Sequence, residues 1–287
     1  MWVAETVSTL QQYRAQLDGT VALVPTMGAL HQAHVEHMRV AKRMAKHVIV
    51  SIYVNPMQFG PDEDFECYPR PIAKDLATCR AESVSGVFCP ANGQMYPSSN
   101  LPVQIDVPQL GSILEGECRP DHFAGVCRVV MKLLHLIQPD WATFGRKDVQ
   151  QLRVVAALVA DLNVPVEIVP IGTIRDSDGL ALSSRNAYLG DDERRAGLGL
   201  YRALTEARQM MEIQRESNTH RIESHMHQVL ESHHVMADYA TIRDASTLAG
   251  LSHIDTDCLG EIVGLVAGRV GAIRLIDSMW MGEEPSI

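Results

Sequence analysis

The sequence predicts an α/β protein in which a parallel sheet covered by helices precedes a smaller α+β region. Two observations carry this prediction. Short apolar runs alternate with helical patterns through roughly the first 170 residues, as expected of strand–helix–strand units. After a polar stretch at 172–186, two long helical patterns come before three β-rich runs. The 287 residues suffice for one large or two medium domains with a buried core.

The first region contains five predicted strands and three predicted helices. Its second apolar run, VIVSIYV, is rich in β-branched residues, which is typical of a strand buried on both faces. We expect strands at 21–24, 48–54, 86–89, 141–144 and 166–171, and helices at 35–46, 125–137 and 150–162.

The second region begins after the polar, glycine-containing stretch GTIRDSDGLALSSRN, which indicates a domain junction. Helical periodicity then predicts helices at 191–214 and 218–236. Strands are expected at 239–243, 261–266 and 272–276, which gives a second domain of the α+β class.

Composition excludes several classes of protein. The net charge of −10 argues against a general nucleic-acid binder, because affinity for phosphate backbones depends on surplus Lys and Arg. The six cysteines form no C-x-x-C pair and indicate reduced thiols. The amino-terminal sequence lacks the pattern of an export signal, and no apolar run is long enough for a membrane span. We therefore predict a cytoplasmic protein with neither a nucleic-acid nor a membrane partner.

The segment VALVPTMGALHQAH, at 21–34, predicts an anion site. An apolar strand leads into a glycine turn and then a helix, whose amino terminus offers free N–H groups and the positive end of its dipole. His31 and His34 add two more donors or cations there. This arrangement suits a nucleoside triphosphate. Taken alone, the H-x-x-H pair is also compatible with two ordinary polar residues in a first helical turn.

Three later segments carry polar side chains that are suited to the same ligand. Asn55 and Gln58 lie in a structured loop after a strand and offer neutral donors and acceptors. Lys147 can reach phosphate oxygens, and the stretch 175–186 ends in the donor-rich sequence Ser-Ser-Arg-Asn. Taken alone, each segment is also explained as a surface loop, a charged helix start or a linker. Because ligands of parallel sheets bind at the carboxyl ends of strands, the segments can converge on one crevice.

Other nucleotide and metal motifs are missing from the chain. It contains neither G-x-x-x-x-G-K-[ST] nor G-x-G-x-x-G, so a P-loop and a dinucleotide fingerprint are excluded. Zinc at the histidine pair would need a third ligand, and the sequence contains no H-E-x-x-H.

Together these segments resemble the pantothenate synthetase (pantoate–β-alanine ligase) family, of the H-x-G-H nucleotidyltransferase superfamily. The matching stretches are VPTMGALHQAH, VSIYVNPMQFGPDEDFECYPR, RPDHFAGVCRVVMKLLHLIQPDWATFGRKDVQQL and IRDSDGLALSSRNAYL, with DYATIRDASTL and RLIDSMWM further on. The resemblance implies a Rossmann-like ATP- and pantoate-binding domain at 1–175 and a carboxyl-terminal lid domain at 176–287, in a homodimer. It also implies ATP-dependent condensation of (R)-pantoate with β-alanine, giving pantothenate, AMP and diphosphate.

The resemblance implies roles for individual residues as well. His34 would be the proton donor, aided in catalysis by His31 and Lys147, while Gln58 would bind both pantoate and β-alanine. Pantoate would also contact Asn55 and Gln151. The ATP site would comprise Met27, Gly28, Ala29, Leu30, His31, Gln32, Ala33, His34, Gly145, Arg146, Lys147, Asp148, Ile174, Leu182, Ser183, Ser184 and Arg185. Mg²⁺ would accompany ATP, with Asp75 or phosphate oxygens and water as its ligands.

Two positions depart from the family pattern. Ala33 stands where the family has the glycine of H-x-G-H, and its methyl group is expected to crowd the nucleotide and weaken ATP binding. Asp121 replaces a usual glycine and places a carboxylate next to His122. Two alternatives stay open: a different H-x-G-H nucleotidyltransferase acting on a phosphorylated metabolite, and a non-catalytic homologue that binds ATP.

Overall fold

The computed structural model describes residues 1–61, 63–98 and 103–282. The chain divides into two compact units. Unit 1 comprises Met1–Phe144 and Gln151–Ile171, and unit 2 comprises Gly145–Gln150 and the chain from Gly172 onward. Within the described ranges, no helix combines the length and the apolar character that a membrane crossing requires.

Unit 1 contains a six-stranded sheet in the order β1-β4-β3-β2-β5-β6, with helices between the strands. The neighbouring pairs β1–β4, β4–β3, β3–β2 and β2–β5 all run parallel. The strands are β1 Trp2–Ala4, β2 Val21–Thr26, β3 His47–Ile52, β4 Gly86–Phe88, β5 Trp141–Gly145 and β6 Glu167–Ile171. The helices are α1 Val7–Ala15, α2 Gln32–Met44, α3 Ile72–Ala81, α4 Asn92–Met95, α5 Pro108–Gly111, α6 Glu115–Cys118, α7 His122–Ile137 and α8 Val149–Asp161.

Strand β2 lies inside the sheet, between β3 and β5, and has an apolar core on each of its two faces. Successive side chains of a strand point to opposite faces. Val21 and Leu23 belong to one apolar core, and Ala22 and Val24 belong to another, all of them fully buried. A strand that is covered on both faces has a continuous apolar run in its sequence. The parallel α/β architecture confirms the predicted fold class.

Unit 2 contains an antiparallel sheet with the order β7-β8-β9, packed against two helices. Its main elements are α9 Asp191–Glu212, α10 Thr219–Ser232, β7 Met236–Asp244, β8 Ile262–Val270 and β9 Ile273–Trp280. One core joins the inward faces of the helices and the sheet.

Several boundaries differ from those expected from the sequence. Helix α10 ends at Ser232 instead of continuing to Met236, because His234 adopts a left-handed backbone with φ of 59° and β7 begins at Met236. Helix α2 begins at Gln32 and not at Val35, so His34 lies in its first turn. Strand β1 and helices α1 and α3 were not predicted from the sequence. Strand β1 has only three residues, and each of the two helices buries at most two side chains.

Candidate active site

The turn after β2 is held by a carboxylate from helix α3. Gly28 and Ala29 both have positive φ, 84° and 49°. The Asp75 carboxylate accepts hydrogen bonds from the backbone N–H groups of Ala29 (2.9 Å) and Leu30 (2.8 Å). A Cβ at Gly28 would lie 3.0 Å from Asp75 Oδ2, so the tight approach needs glycine. Asp75 therefore fixes the shape of the turn.

Three backbone N–H groups that precede helix α2 are used inside the protein. Asp75 accepts hydrogen bonds from those of Ala29 and Leu30, and the His34 ring accepts one from that of His31. The expectation that free N–H groups at the start of α2 itself face an anion stays a prediction. Since both Asp75 oxygens are engaged by the turn, this carboxylate is also poorly suited to bind Mg²⁺.

His34 carries its ring proton on a defined nitrogen. His31 is the N-cap of α2, and its backbone N–H donates to His34 Nδ1 at 3.2 Å. Nδ1 is thus an acceptor, which places the proton of the neutral ring on Nε2. Burial, with smaller effects from His31 and His37, lowers the pKa of His34 well below its ordinary value. Near pH 7 this side chain is a neutral hydrogen-bond donor and not a cation.

Gln58 lies close to the same turn, in a short 3₁₀ helix at Pro56–Gln58. Its side chain is 8% exposed, and its Nε2 donates to Met27 Sδ at 3.1 Å. A thioether is a weak acceptor, so an oxygen of a bound ligand would be a better partner for this donor. The structure therefore brings Met27 and Gln58 together, although 31 positions separate them.

Asn55 is buried behind Gln58, and its amide is fully used by the protein. Its Nδ2 donates to Gln58 Oε1 and to the Gly125 carbonyl, both at 3.1 Å. Its Oδ1 accepts from Met57 N (3.3 Å) and from the Tyr96 hydroxyl (2.8 Å). That Asn55 also contacts substrate stays a prediction. Its contacts give it the role of orienting the Gln58 amide.

The backbone carbonyl of Gln58 is held by two residues whose role was not predicted from the sequence. His122 Nδ1 lies 2.7 Å from the Gln58 carbonyl oxygen, and Arg119 donates to the same oxygen at 3.2 Å. Arg119 also pairs with Glu63 at 2.6 Å. Burial, with a contribution from Arg119, lowers the pKa of His122 to about 4. Asp121, at the departure from the family glycine, has φ of 65°, which explains why glycine suits that position.

Unit 2 holds the predicted segment 145–148 against strand β9. Its carbonyl groups at Arg146 and Lys147 accept from the Ser278 hydroxyl at 2.8 and 3.1 Å. The Arg146 guanidinium stacks over Trp280 at 5.1 Å from the ring centroid. Lys147 lies 3.7 Å from the Asp148 carboxylate and is mostly buried.

The same strand holds the second predicted segment of unit 2. Arg175 donates to both oxygens of the buried Asp277, at 2.6 and 3.0 Å, and stacks on Tyr201. Leu182 N donates to the Ile174 carbonyl, so the two sides of this loop are paired. Ser183 caps the following 3₁₀ turn by accepting from Arg185 N. Neighbouring residues of β9, Asp277 and Ser278, thus fix both segments.

The predicted site residues are therefore divided between the units. Unit 1 holds 27–34, Asn55, Gln58 and also Gln151, which lies at the start of α8. Unit 2 holds 145–148, Ile174 and 182–185. Throughout the part of the chain that the structure describes, no three His, Cys, Asp or Glu side chains are grouped to hold a metal ion.

Comparisons with known proteins agree on one family. The family model described as pantoate-beta-alanine ligase matches residues 2–280. The chain is 45% identical to pantothenate synthetase of Acidothermus cellulolyticus over 289 aligned positions, covering 97% of this chain and 91% of that protein. It is 42% identical to pantothenate synthetase of Laribacter hongkongensis, covering 97% and 99%.

Solved structures lead to the same result. Pantothenate synthetase from Thermus thermophilus superimposes with a TM-score of 0.91 at 41% identity, covering 99% of this chain and 100% of that one. Pantoate-beta-alanine ligase from Francisella tularensis, complexed with beta-gamma ATP and beta-alanine, gives 0.81 at 30% identity with full coverage of both chains. With a family model that spans nearly the whole sequence, and relatives above 40% identity over nearly all of it, this chain belongs to the pantoate–β-alanine ligase family.

Proposed function

We propose that this protein condenses (R)-pantoate with β-alanine at the expense of ATP and releases pantothenate, AMP and diphosphate. The observation that carries the proposal is the buried Gln58 amide, oriented by Asn55 and placed through Met27 beside the histidine turn. A neutral amide suits a hydroxy acid, and the histidines suit a nucleotide, so acid and nucleotide can meet there.

The chemistry explains why ATP is needed. A carboxylate is a poor electrophile, and its direct condensation with an amine expels a poor leaving group. In the first step, a pantoate carboxylate oxygen attacks the α-phosphorus of ATP and diphosphate leaves. In the second step, the neutral amine attacks the acyl carbon of the adenylate, AMP leaves with the bonding electrons, and the nitrogen loses a proton.

Charge accumulates on the phosphate during the first step. We propose that His34 donates from Nε2 to a phosphate oxygen and that His31 and Lys147 assist it. Preorganised donors of this kind stabilise a transition state without reorganising, and deletion of one typically costs about 3 kcal/mol. Gln58 and Gln151 would orient pantoate, and the remaining residues of the predicted ATP site would hold the nucleotide.

Mg²⁺ enters this proposal as part of the ATP substrate. Asp75 is engaged by the turn, and Asp148 lies beside Lys147, so the described residues offer no cluster of carboxylates for a resident ion. Phosphate oxygens and water are then its ligands. The domain roles at 1–175 and 176–287, the homodimer and the cytoplasmic location are further parts of the proposal, and they rest on the family resemblance.

Two assays test the proposed reaction. Pantoate-dependent exchange of labelled diphosphate into ATP should occur without β-alanine, and pantothenate should form only when β-alanine is added. His34→Ala should lose most of the exchange rate while retaining its thermal transition, whereas His227→Ala, on the exposed face of α10, serves as the matched control. Binding of ATP without any pantoate-dependent exchange would contradict the proposal and favour a non-catalytic homologue.

A further inference from the structure

A chain of hydrogen bonds leads from Tyr96 to the Gln58 amide. Tyr96 follows the short helix α4, and its hydroxyl lies 2.8 Å from Asn55 Oδ1, although 41 positions separate the two residues. Asn55 Nδ2 in turn donates to Gln58 Oε1 at 3.1 Å. Tyr96 therefore reaches the candidate site through Asn55, and none of the roles assigned so far uses it.

Two backbone groups identify the two ends of the Asn55 amide. The oxygen and nitrogen of an amide are alike in size, so their neighbours decide which is which. The Gly125 carbonyl can only accept, and the atom 3.1 Å from it is therefore Nδ2. The Met57 N–H can only donate, and the atom 3.3 Å from it is therefore Oδ1. Because Oδ1 carries no hydrogen, the Tyr96 hydroxyl must be the donor in its contact with Asn55.

The orientation of Asn55 determines the orientation of Gln58. Since Asn55 Nδ2 carries hydrogens, the Gln58 atom that faces it is Oε1, and a flipped Gln58 would place two NH₂ groups against each other. Nε2 then lies at the other end, where it donates to Met27 Sδ. Gln58 consequently presents a donor to a ligand, and the matching ligand group is an acceptor oxygen, as in a carboxylate or hydroxyl group.

The Tyr96 side chain is well placed to hold Asn55. Its ring packs against the larger apolar core of unit 1 and contacts the Tyr53 ring in a tilted arrangement, with 6.4 Å between the centroids. Burial raises the pKa of Tyr96 to about 12, so the hydroxyl keeps its proton throughout the neutral pH range. Its contact with Asn55 Oδ1, at 2.8 Å, is shorter than that of Met57 N, at 3.3 Å. Tyr96 thus supplies the closer of the two donors to Oδ1.

We propose that Tyr96 is a positioning residue for the acid substrate, because its hydroxyl holds Asn55 so that Gln58 presents its NH₂ group to an acceptor oxygen of pantoate. The proposal rests on the proposed function, which names this acid. Tyr96 acts through Asn55 and Gln58, so its removal should weaken the binding of pantoate and leave the binding of ATP unchanged.

Tyr96→Phe tests this role, since it removes the hydroxyl and keeps the ring that packs on the core. In the diphosphate exchange assay, its KM for pantoate should rise about fivefold, the usual effect of losing one hydrogen bond. The KM for ATP and the maximal exchange rate should stay within about twofold of those of the unmodified protein. Tyr13→Phe, at a half-buried tyrosine of α1 that stacks on Trp2, is the matched control and should change none of the three.

An unchanged KM for pantoate in Tyr96→Phe would overturn the proposal. This outcome includes the case of a purely structural role, in which the thermal transition falls and the KM for pantoate stays the same.

A double-mutant cycle tests whether Tyr96 acts through Gln58. Gln58→Met keeps the length of the side chain and removes its amide. Adding Tyr96→Phe to Gln58→Met should then change the affinity for pantoate by less than about twofold, because the group that Tyr96 positions is already absent. Calorimetric titration with pantoate supplies this affinity without turnover. A further loss of about fivefold in the double variant would show that Tyr96 acts by another route, and it would overturn the proposal.

Failure of the proposed function gives a different result. If the unmodified protein shows no pantoate-dependent exchange, the reaction itself is wrong, and the role of Tyr96 fails with it. Exchange in the unmodified protein, together with an unchanged KM for pantoate in Tyr96→Phe, rejects the role of Tyr96 alone.

Discussion

At the scale of single residues, the half-buried His34 and the buried His122 couple the stability of this protein to pH. His34 and His122 both have pKa values lowered mainly by burial. A group whose pKa is lower in the folded state contributes stability that is fully present above its unfolded pKa. That stability is lost as the pH falls, because the unfolded chain takes up the proton first. For His122, the loss runs from about pH 6.5 down to about 4.

The size of this effect can be measured. Lowering the pH from 7 to 5 should cost the folded state roughly 2 kcal/mol through His122 alone. In His122→Asn, which retains a donor for the Gln58 carbonyl, the difference in unfolding free energy between the two pH values should shrink by about that amount. Urea unfolding at both pH values provides the measurement, with His227→Asn as the control. An identical pH dependence in the unmodified protein and His122→Asn would refute the assignment.

Ala33 allows a test of the departure from H-x-G-H. It is the second residue of α2, next to the catalytic candidate His34, and it is half-buried. If its methyl group crowds the nucleotide, Ala33→Gly should lower the KM for ATP about threefold. The same change should reduce stability by up to about 1 kcal/mol, because glycine disfavours helix.

The control for this substitution is Ala77→Gly, on the exposed face of α3. It should lower stability in the same way and leave the KM for ATP unchanged. Equal or weaker ATP binding by Ala33→Gly, measured in the diphosphate exchange assay, would show that the methyl group does not crowd the nucleotide.

At the scale of secondary-structure elements, backbone packs directly on backbone where α7 crosses the 3₁₀ helix at Pro56–Gln58. A Cβ at Gly125 would clash with the Met57 carbonyl and lie 2.8 Å from Gln58 N. These neighbours are backbone atoms, and unlike the end of a flexible side chain they cannot rotate away from an added methyl group. Because Gly125 has no side chain, α7 can approach the 3₁₀ helix closely, and the Gly125 carbonyl can accept a hydrogen bond from Asn55.

Gly125→Ala should consequently cost about 3 kcal/mol of stability and also displace Gln58. We expect a raised KM for pantoate in the exchange assay and a lower midpoint in urea unfolding. Gly93→Ala is the matched control, since a Cβ there meets nothing within 4 Å and lies in a short helix. If Gly125→Ala were as stable and as active as Gly93→Ala, the proposed packing would be wrong.

The elements also show how much can be predicted from the sequence. Strands such as β2 and β3, and the apolar helix α7, were predicted because burial imposes a continuous or periodic apolar pattern on them. Helix α3 was missed because only Asp75 and Cys79 are buried in it. That same Asp75 then proved to hold the turn after β2.

For the candidate site, the sequence likewise indicated some residues and not others. The motif positions 27–34 and Gln58 were predicted, but the residues that hold them were not. Leu30 and Asp75 are 45 positions apart, Gln58 and His122 are 64 apart, and Arg175 and Asp277 are 102 apart. No local periodicity encodes such pairs, because only the folded topology brings them together.

At the scale of the whole molecule, each of the two units fixes its own set of predicted site residues. Unit 1 fixes the histidine turn and the Gln58 amide through a buried hydrogen-bond network. Unit 2 fixes the segments 145–148 and 174–185 through two adjacent residues of one strand, Asp277 and Ser278. We propose that these groups serve a reaction in which the acid is first adenylated.

The adenylation step can be followed through the carboxylate oxygens of pantoate. Pantoate labelled with ¹⁸O in its carboxylate should be turned over with ATP and β-alanine, and the products analysed by mass spectrometry. We expect one ¹⁸O atom in each AMP, because the attacking oxygen stays on the α-phosphorus when the amine displaces AMP. Label in the diphosphate, or AMP without label, would show that the acid is not adenylated in this way.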